Sequence, residues 1–419
     1  MLSVDQAERQ ILDLVDPLHA PEDTEVIDLQ TAIGRVLATA ATSSLDFPHW
    51  DNSAMDGYAV RFADVGTCEA EQPVFLEIIE EIPAGYQPQA TIQPGQCARI
   101  FTGSLMPAGA DTIVIQEYTQ RQGNQVLILK SPQPGAFVRR QGSFYESGHP
   151  LLPAGIALTA PDLAVLAAAQ CAQVRVYRRP RVAILSTGSE LVEIDRPLQP
   201  GQIVDSNQLA LTALIKQMGA DALPLGIIPD QPEPLISAIA HARTIADMIL
   251  SSGGVSVGDY DHVEDSLNSL GAALHIRAVA MRPGKPLTVA TFKPDSTSSS
   301  PRSILYFGLP GNPVSAFVTF WRFVQPALRK LSGRSEGWLP TVVQAKTRQA
   351  LRSDGQRETY LWGRLHLVNG EYEFTLAGGS HSSGNLINLA QTNGLAVLPV
   401  GETTVNAGAQ VKVLLVTSG

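Results

Sequence analysis

The sequence predicts a multidomain protein in which a doubly wound α/β region lies between two β-rich stretches. Three observations carry this reading. At 419 residues the chain exceeds what one hydrophobic core fills, so about two to four domains are expected. From Arg181 onward, short apolar runs alternate with helix-period segments across Gly-rich junctions, the pattern of βαβ units. Before and after that region, short runs of β-formers recur between Gly and Pro turns.

Taken in order, Ser3 is placed to cap a helix carrying Ala7, Ile11, Leu14 and Val15 on one face, with Pro17 and Pro21 ending it. Glu25–Leu29 reads as a short strand and Thr31–Leu37 as a short helix. Asp46–Val60 is dense in turn formers yet holds His49, Trp50, Asp51 and Asp56. Such a loop is where binding residues tend to sit, although a well-packed surface loop has the same letters. Between Pro73 and Gly142 the runs 74–79, 98–102, 112–116 and 126–129 read as strands of a barrel or sandwich. An alanine-rich helix follows from Thr159, with Pro161 in its first turn.

In the α/β region, strands are expected at Val182–Leu185, Leu223–Ile228 and Met248–Leu250, with helices at Leu209–Met218 and Leu235–Ile245. The three strands end in loops that bring Glu190, Asp230 and Asp261 to one sheet edge. Each carboxylate alone could be a helix cap; three at successive strand ends point further. The third junction, Ser251-Ser-Gly-Gly-Val-Ser-Val-Gly-Asp-Tyr-Asp261, is the most informative stretch in the chain. A strand, a Gly-rich loop and a helix start with a capping Asp make an anion-binding junction, where loop N–H groups and a helix N-terminus face a ligand. A plain connector gives Gly-Gly but does not require three serines and two aspartates. Residues 294–301 read as a flexible tip between two strands. Asn312 and Pro313 then open another helix. After Gly333 a small β domain is expected, with Asn369-Gly370 as a hairpin turn.

Composition bounds the function. A hydrophobic fraction of 44% against 17% charged residues fits a globular chain and not a disordered one. A net charge of −10 argues against nucleic-acid or anionic-membrane surfaces. Cys68, Cys97 and Cys171 have no CxxC spacing, as in reduced thiols. With no signal peptide and no apolar run long enough to span a bilayer, a cytoplasmic location is expected.

Five blocks carry a resemblance: Asp51–Val60, Ser186-Thr-Gly-Ser-Glu190, Ser251–Gly258, Arg282-Pro-Gly-Lys-Pro286 and Gly308-Leu-Pro-Gly-Asn-Pro-Val-Ser-Ala316. In this order and spacing the chain resembles the MoeA-type molybdopterin molybdenumtransferases, relatives of the gephyrin C-terminal region. The resemblance implies a homodimeric enzyme that inserts molybdate into adenylated molybdopterin with Mg²⁺ and releases AMP. An α/β domain of one subunit would face the β domain of the other. It implies a molybdopterin-binding α/β domain from 1–24 and 179–332, a discontinuous small linking domain from 25–45 and 148–178, an inserted β domain at 46–147, and a C-terminal β-barrel domain at 333–419. The molybdopterin adenylyltransferase and apo-molybdoenzymes would be its partners, with no nucleic acid and no membrane.

The resemblance also assigns roles. Asp56, Glu190, Asp230 and Asp261 would be catalytic, with Asp230 and Asp261 holding the metal. Thr102, Ser251, Gly253, Gly254, Ser256, Asn312, Ser315 and Ser380 would meet the pterin nucleotide. Arg282, Lys285, Pro286, Ser315 and Arg364 would hold molybdate. Carboxylates repel a pyrophosphate, so Glu190, Asp230 and Asp261 are expected to take Mg²⁺, ribose hydroxyls or pterin N–H donors. The chain departs from the family at three places: Gly142-Ser143-Phe144 replaces Gly-Glu-Asp, Arg282 replaces a Lys, and Trp362 stands where an Arg is expected. Arg357 and Arg364 are close by; Arg364, two residues on and on the same strand face, is expected to supply the missing cation, the alternative being an enzyme of weak molybdate affinity. The alternative function is a pterin-nucleotide carrier that has lost insertion; an adenylyltransferase would not need the Asp51–Val60 block.

Overall fold

The computed structural model describes residues 1–69, 71–254, 262–294 and 302–416. The chain folds as two compact units, one of residues 1–39, 154–160 and 173–419, the other of 40–153 and 161–172. No described helix is long and apolar enough to cross a membrane.

The larger unit is built on a six-stranded sheet in the order Asp221–Ile228, Arg181–Thr187, Met248–Ser252, Ile304–Leu309, Pro286–Phe292, Ala273–Ala278. The first four run parallel, Pro286–Phe292 runs antiparallel to them, and Ala273–Ala278 runs antiparallel to Pro286–Phe292. Alternation along each strand explains why both faces are covered. Val182, Ile184, Met248, Leu250, Leu305 and Phe307 pack with the N-terminal helix and with helices Ser206–Gln217 and Pro313–Thr319. Ala183, Leu185, Ile249 and Tyr306 pack on the other side with helices Pro232–Ile245 and His262–Ser269. The N-terminal helix Val4–Leu14 is held by a reciprocal cap between Ser3 and Gln6, a device worth about 1 kcal/mol.

A helix at Thr31–Leu37 does not form. Leu29–Thr31 makes one 3₁₀ turn, and Val36 and Leu37 instead bridge to Ala157 and Val176. Extended pairing outweighs the weak helical pattern there. Thr24–Asp28 pairs antiparallel with Gln173–Tyr177 in this unit, whereas Ala41–Thr42 pairs with Pro150–Leu152 in the other.

The C-terminal strands Val342–Thr347, Glu358–Val368, Glu371–Leu376, Gly394–Leu398 and Gln410–Leu415 close into a barrel, because Glu358–Val368 pairs with both Glu371–Leu376 and Gly394–Leu398. Its interior holds Leu361, Leu365, Phe374 and Val413. Tyr360 and Trp362, on the opposite face of the same strand, pack into the α/β core. The expected hairpin is present: Asn369 and Gly370 have φ of 50° and 83°, the left-handed pair that a two-residue turn requires.

The smaller unit carries a single six-stranded sheet in the order Thr112–Ile115, Gly57–Val60, Gln96–Ile100, Val74–Ile82, Gln125–Ile128, Thr119–Gln122. Gly57–Val60 was hidden in a turn-rich stretch, yet all four of its residues are buried between two neighbours.

Candidate functional site

In the α/β sheet, Arg181–Thr187 is flanked by the strands that follow it second and first in the chain, so connections leave on opposite sides. The crevice lies outside the carboxyl ends of Arg181–Thr187 and Met248–Ser252, where such a reversal favours ligand binding. A cavity of about 720 Å³ opens there, lined by Thr187, Gly188, Glu190, Asp230, Ser252, Gly253 and Gly254 among others. Gly253 has φ of 91°, and an added Cβ would lie 2.2 Å from the Thr187 carbonyl oxygen. Only glycine lets the loop lie this close to the strand end.

Ser252 and Asn207 tie this edge together. The Asn207 amide donates to the Ser252 hydroxyl at 2.7 Å and to the Gly311 carbonyl at 2.8 Å. Ser252 therefore accepts, and its own proton is free to donate toward a ligand oxygen. The Asn207 carbonyl oxygen is buried without a partner among the described residues. Ser251 faces away: it is fully buried and its hydroxyl bonds the Tyr306 hydroxyl at 2.5 Å. The serine beside the cavity is thus Ser252, one residue later, as strand alternation dictates. Ser256 and Asp261, both expected in this loop, lie outside the described residues.

The electrostatics of this cavity are one-sided. Glu190, Asp205 and Asp230 line it, and among the described residues no lysine or arginine does. Asp205 caps helix Ser206–Gln217 through Gln208, whereas Glu190 and Asp230 enter no ion pair among the described residues. Oxygen donors of this kind suit Mg²⁺, which takes one or two carboxylates together with phosphate oxygens and water. No described group of three or more such side chains forms a closed metal cage.

A second cavity of about 710 Å³ has the opposite character. Arg282, Lys285, Arg352 and Arg357 line it with Ser315, Tyr360, Trp362 and His381, and Asp354 is the one carboxylate among its lining residues. The two cavities share Pro286, Pro310 and Asn312. Asn312 occupies the N-cap position of helix Pro313–Thr319, but its side chain makes no capping bond.

Arg364 does not join these cations. It is exposed and its guanidinium pairs with Gln391. The expected face is right but the reach is not, since two residues of strand carry Arg364 about 7 Å past Trp362. Arg352 and Arg357, from the barrel's other approach to the cavity, supply the charge instead. Trp362 is 1% exposed and its ring lies 4.6 Å from that of His381. The His381 Nε2–H donates to the Ala377 carbonyl at 2.8 Å. Trp362 Nε1 and His381 Nδ1 have no partner among the described residues. Ser380 is not a lining residue; its hydroxyl accepts the Ser382 N–H, and Ser382 and Ser383 line the cavity instead.

In the smaller unit, Asp56 accepts the backbone N–H and the hydroxyl of Thr102, both at 2.8 Å. The Thr102 N–H, and then its hydroxyl, hold the Asp56 carboxyl below the usual carboxylate range. Asp51 binds Arg140 and the Gln141 N–H, and Phe144 is exposed.

Asn207, Arg352 and Asp354 escaped sequence reasoning, and Ser252 and Arg357 were passed over for Ser251 and Arg364. Asn207 follows a helix cap and reads as one more polar N-terminal residue; its two bonds to loops 45 and 104 residues away have no local signal.

Comparison with known proteins follows the same outline. Residues 2–169 match the MoeA N-terminal region (domain I and II), 183–330 a probable molybdopterin binding domain, and 344–416 the MoeA C-terminal region (domain IV). A molybdopterin molybdenumtransferase of a Nostoc species is 60% identical over 99% of this chain and 94% of that protein. One of Haemophilus influenzae is 33% identical, covering 99% and 98%. The crystal structure of a molybdopterin biosynthesis MoeA protein from Pyrococcus horikoshii superposes with a TM-score of 0.83 at 26% identity, covering 99% of this chain and all of that one.

Proposed function

The chain belongs to the MoeA family of molybdopterin molybdenumtransferases, and from that premise we propose how its two cavities divide the work of metal insertion. It is an enzyme of molybdenum cofactor biosynthesis. The observation that carries the finer reading is the pair of cavities that share Asn312, Pro286 and Pro310, one Gly-rich and acidic, the other cationic.

The Gly-rich cavity receives the pyrophosphate of adenylated molybdopterin on the Gly254 N–H and the Ser252 hydroxyl, the Gly253 N–H being engaged by the Leu309 carbonyl at 3.2 Å. Ser256 and Asp261 belong to the same proposed loop. Asp230 and Glu190 are the described residues that would hold Mg²⁺, which when bound neutralises phosphate charge and polarises the anhydride. The Asn207 carbonyl oxygen takes an N–H or O–H of the ligand. Molybdate, a tetrahedral dianion, enters the cationic cavity on Arg282, Lys285, Arg352 and Arg357, with the Ser315 hydroxyl as a neutral donor. Asn312, touching both, aligns the two substrates. Asp56, its carboxylate fixed by the Thr102 N–H and hydroxyl, is proposed to take part in the same reaction. A homodimer and the four-part domain division expected from the family are proposed with it.

The test is direct. Purified protein is incubated with adenylated molybdopterin, molybdate and Mg²⁺, and both AMP release and activation of an apo-molybdoenzyme are measured. Both signals are expected, and both should fall in Asp230→Asn and Lys285→Ala. Full activity in both variants would overturn the division of labour.

A further inference from the structure

The cationic cavity contains one carboxylate, and that carboxylate sits on the cations. Asp354 Oδ2 accepts from Arg282 Nη1 at 2.8 Å and lies 3.8 Å from Arg357 Nη2. Its other oxygen accepts the Gln356 backbone N–H at 3.0 Å, which pins the side chain from behind. The Gln356 N–H most of all, joined by Arg282 and Arg357, holds the Asp354 carboxyl below the usual range against the opposing effect of burial. It is therefore charged near neutral pH. Lys285 and Arg352 line the same cavity and take part in no ion pair among the described residues.

An acid placed this way has the geometry of a bound oxyanion: one oxygen converged upon by two guanidinium groups. We propose that Asp354 is a built-in competitor for the incoming oxyanion, occupying Arg282 and Arg357 until a tetrahedral dianion displaces it. This rests on the reading of the cavity as the molybdate site.

Two physical consequences follow. First, free oxyanions bind more weakly than four cations alone would dictate, because each must release the Arg282–Asp354 pair. Second, Asp354 stays tethered within the cavity after displacement, and its repulsion grows with ligand charge. Removing the charge therefore helps dianions more than monoanions. The pair is partly solvent-exposed, with Arg282 at 53% and Asp354 at 29%, so the competition is modest, about two- to fivefold in affinity.

The experiment uses the full-length protein and isothermal titration with molybdate, sulfate and nitrate. Asp354→Asn keeps the size and the Gln356 contact; Asp354→Ser removes the reach; Asp354→Glu keeps the charge. Asparagine and serine variants are expected to bind molybdate and sulfate about two- to fivefold tighter, with a smaller gain for nitrate. Glutamate should stay at the wild-type value. In the insertion assay, the half-saturating molybdate concentration should fall in Asp354→Asn with kcat unchanged. Equal or weaker molybdate binding in both neutral variants, with binding still abolished by Lys285→Ala, would overturn this inference alone and make Asp354 a brace for Arg282. Wild-type molybdate binding that ignores Lys285→Ala would overturn the site reading and this inference together.

Discussion

Replacing Gly253 by alanine tests how the Gly-rich loop is built. Two costs are separable. The first is conformational: φ of 91° lies in the left-handed region, where a Cβ costs roughly 1–2 kcal/mol. The second is steric: the new Cβ would lie 2.2 Å from the Thr187 carbonyl oxygen and 3.1 Å from its hydroxyl. Thr187 ends a strand hydrogen-bonded on both sides, so it cannot retreat, and forced overpacking of this sort costs about 1–3 kcal/mol. The sum is about 2–5 kcal/mol. Gly271 provides the control. Its φ is 75°, with nothing within 4 Å of the added atom, so Gly271→Ala should lose only about 1–2 kcal/mol. Urea titrations of both variants, read in the transition of the larger unit, measure the difference. Because ligand binding must pull the strained loop back, affinity for adenylated molybdopterin should also fall at least about tenfold in Gly253→Ala, for each 1.4 kcal/mol of strain. If Gly253→Ala costs no more than Gly271→Ala and binds the nucleotide as wild type does, the close approach has no energetic meaning.

Three further outcomes are expected. Asp247 is 3% exposed and accepts both Arg178 terminal nitrogens at 2.7 Å, the Arg181 N–H and Arg302; Asp247→Ala should cost up to about 3–5 kcal/mol in denaturant titration, because it leaves buried Arg302 and half-buried Arg178 to share Asp23 as their one remaining carboxylate among the described residues. Burial pushes this carboxyl up, but the Arg178 and Arg181 bonds and the charges of Arg178 and Arg302 outweigh it and depress it. Its stabilisation is therefore present above the unfolded value near 3.9 and lost as pH falls through the folded one, a loss that Asp247→Asn should blunt in acid titrations. Arg357→Ala should raise the half-saturating molybdate concentration about tenfold, whereas Arg364→Ala, outside the cavity, should leave it unchanged. Chelation of Mg²⁺ should weaken binding of adenylated molybdopterin in wild type and have little further effect in Asp230→Asn, as titrations with and without EDTA would read.

Local chemistry made much of the α/β region legible. Met248–Leu250 and Val182–Leu185 are short apolar runs between polar breaks, and the observed strands contain them. Gly-rich junctions marked the loops because glycine is needed where backbone approaches backbone. Gly57–Val60 was missed for the complementary reason: four residues among turn formers show no periodicity, and only pairing with residues 39 to 58 positions later makes them central. At the site, Glu190 and Asp230 were legible as carboxylates at strand ends. Arg352 and Asp354 were not, and Arg357 could not be ranked above Arg364, since nothing in Leu351–Tyr360 tells which way a barrel loop turns. Met281–Arg282 pairs in parallel with Glu358–Thr359, and that contact across 77 residues brings Arg282 to Asp354. The Arg364 expectation failed on length along a strand, a quantity that face alternation does not contain.

The separation of charge between the cavities resolves a difficulty that the bulk composition raises. A chain with a net charge of −10 opposes the approach of a pyrophosphate and of molybdate, and uniform mixing of acids and bases would give neither substrate a site. Here the acids gather at the sheet edge, where Glu190, Asp205 and Asp230 face the cavity with no basic side chain among the described residues that line it. The bases gather where Arg282, Lys285, Arg352 and Arg357 meet. On the proposed division of labour, an acidic cavity would admit a phosphate only together with a divalent cation, which would make nucleotide binding conditional on the metal. A cationic cavity admits an oxyanion without metal, and Asp354 moderates that attraction. Mixing the charges would lose both conditions, because paired lysines in the first cavity would hold nucleotide in the absence of metal. The shared wall of Pro286, Pro310 and Asn312 contributes no charged side chain. It therefore lets the two potentials stand side by side without ion pairs bridging them, and leaves the Asn312 amide as the group able to donate to one substrate and accept from the other.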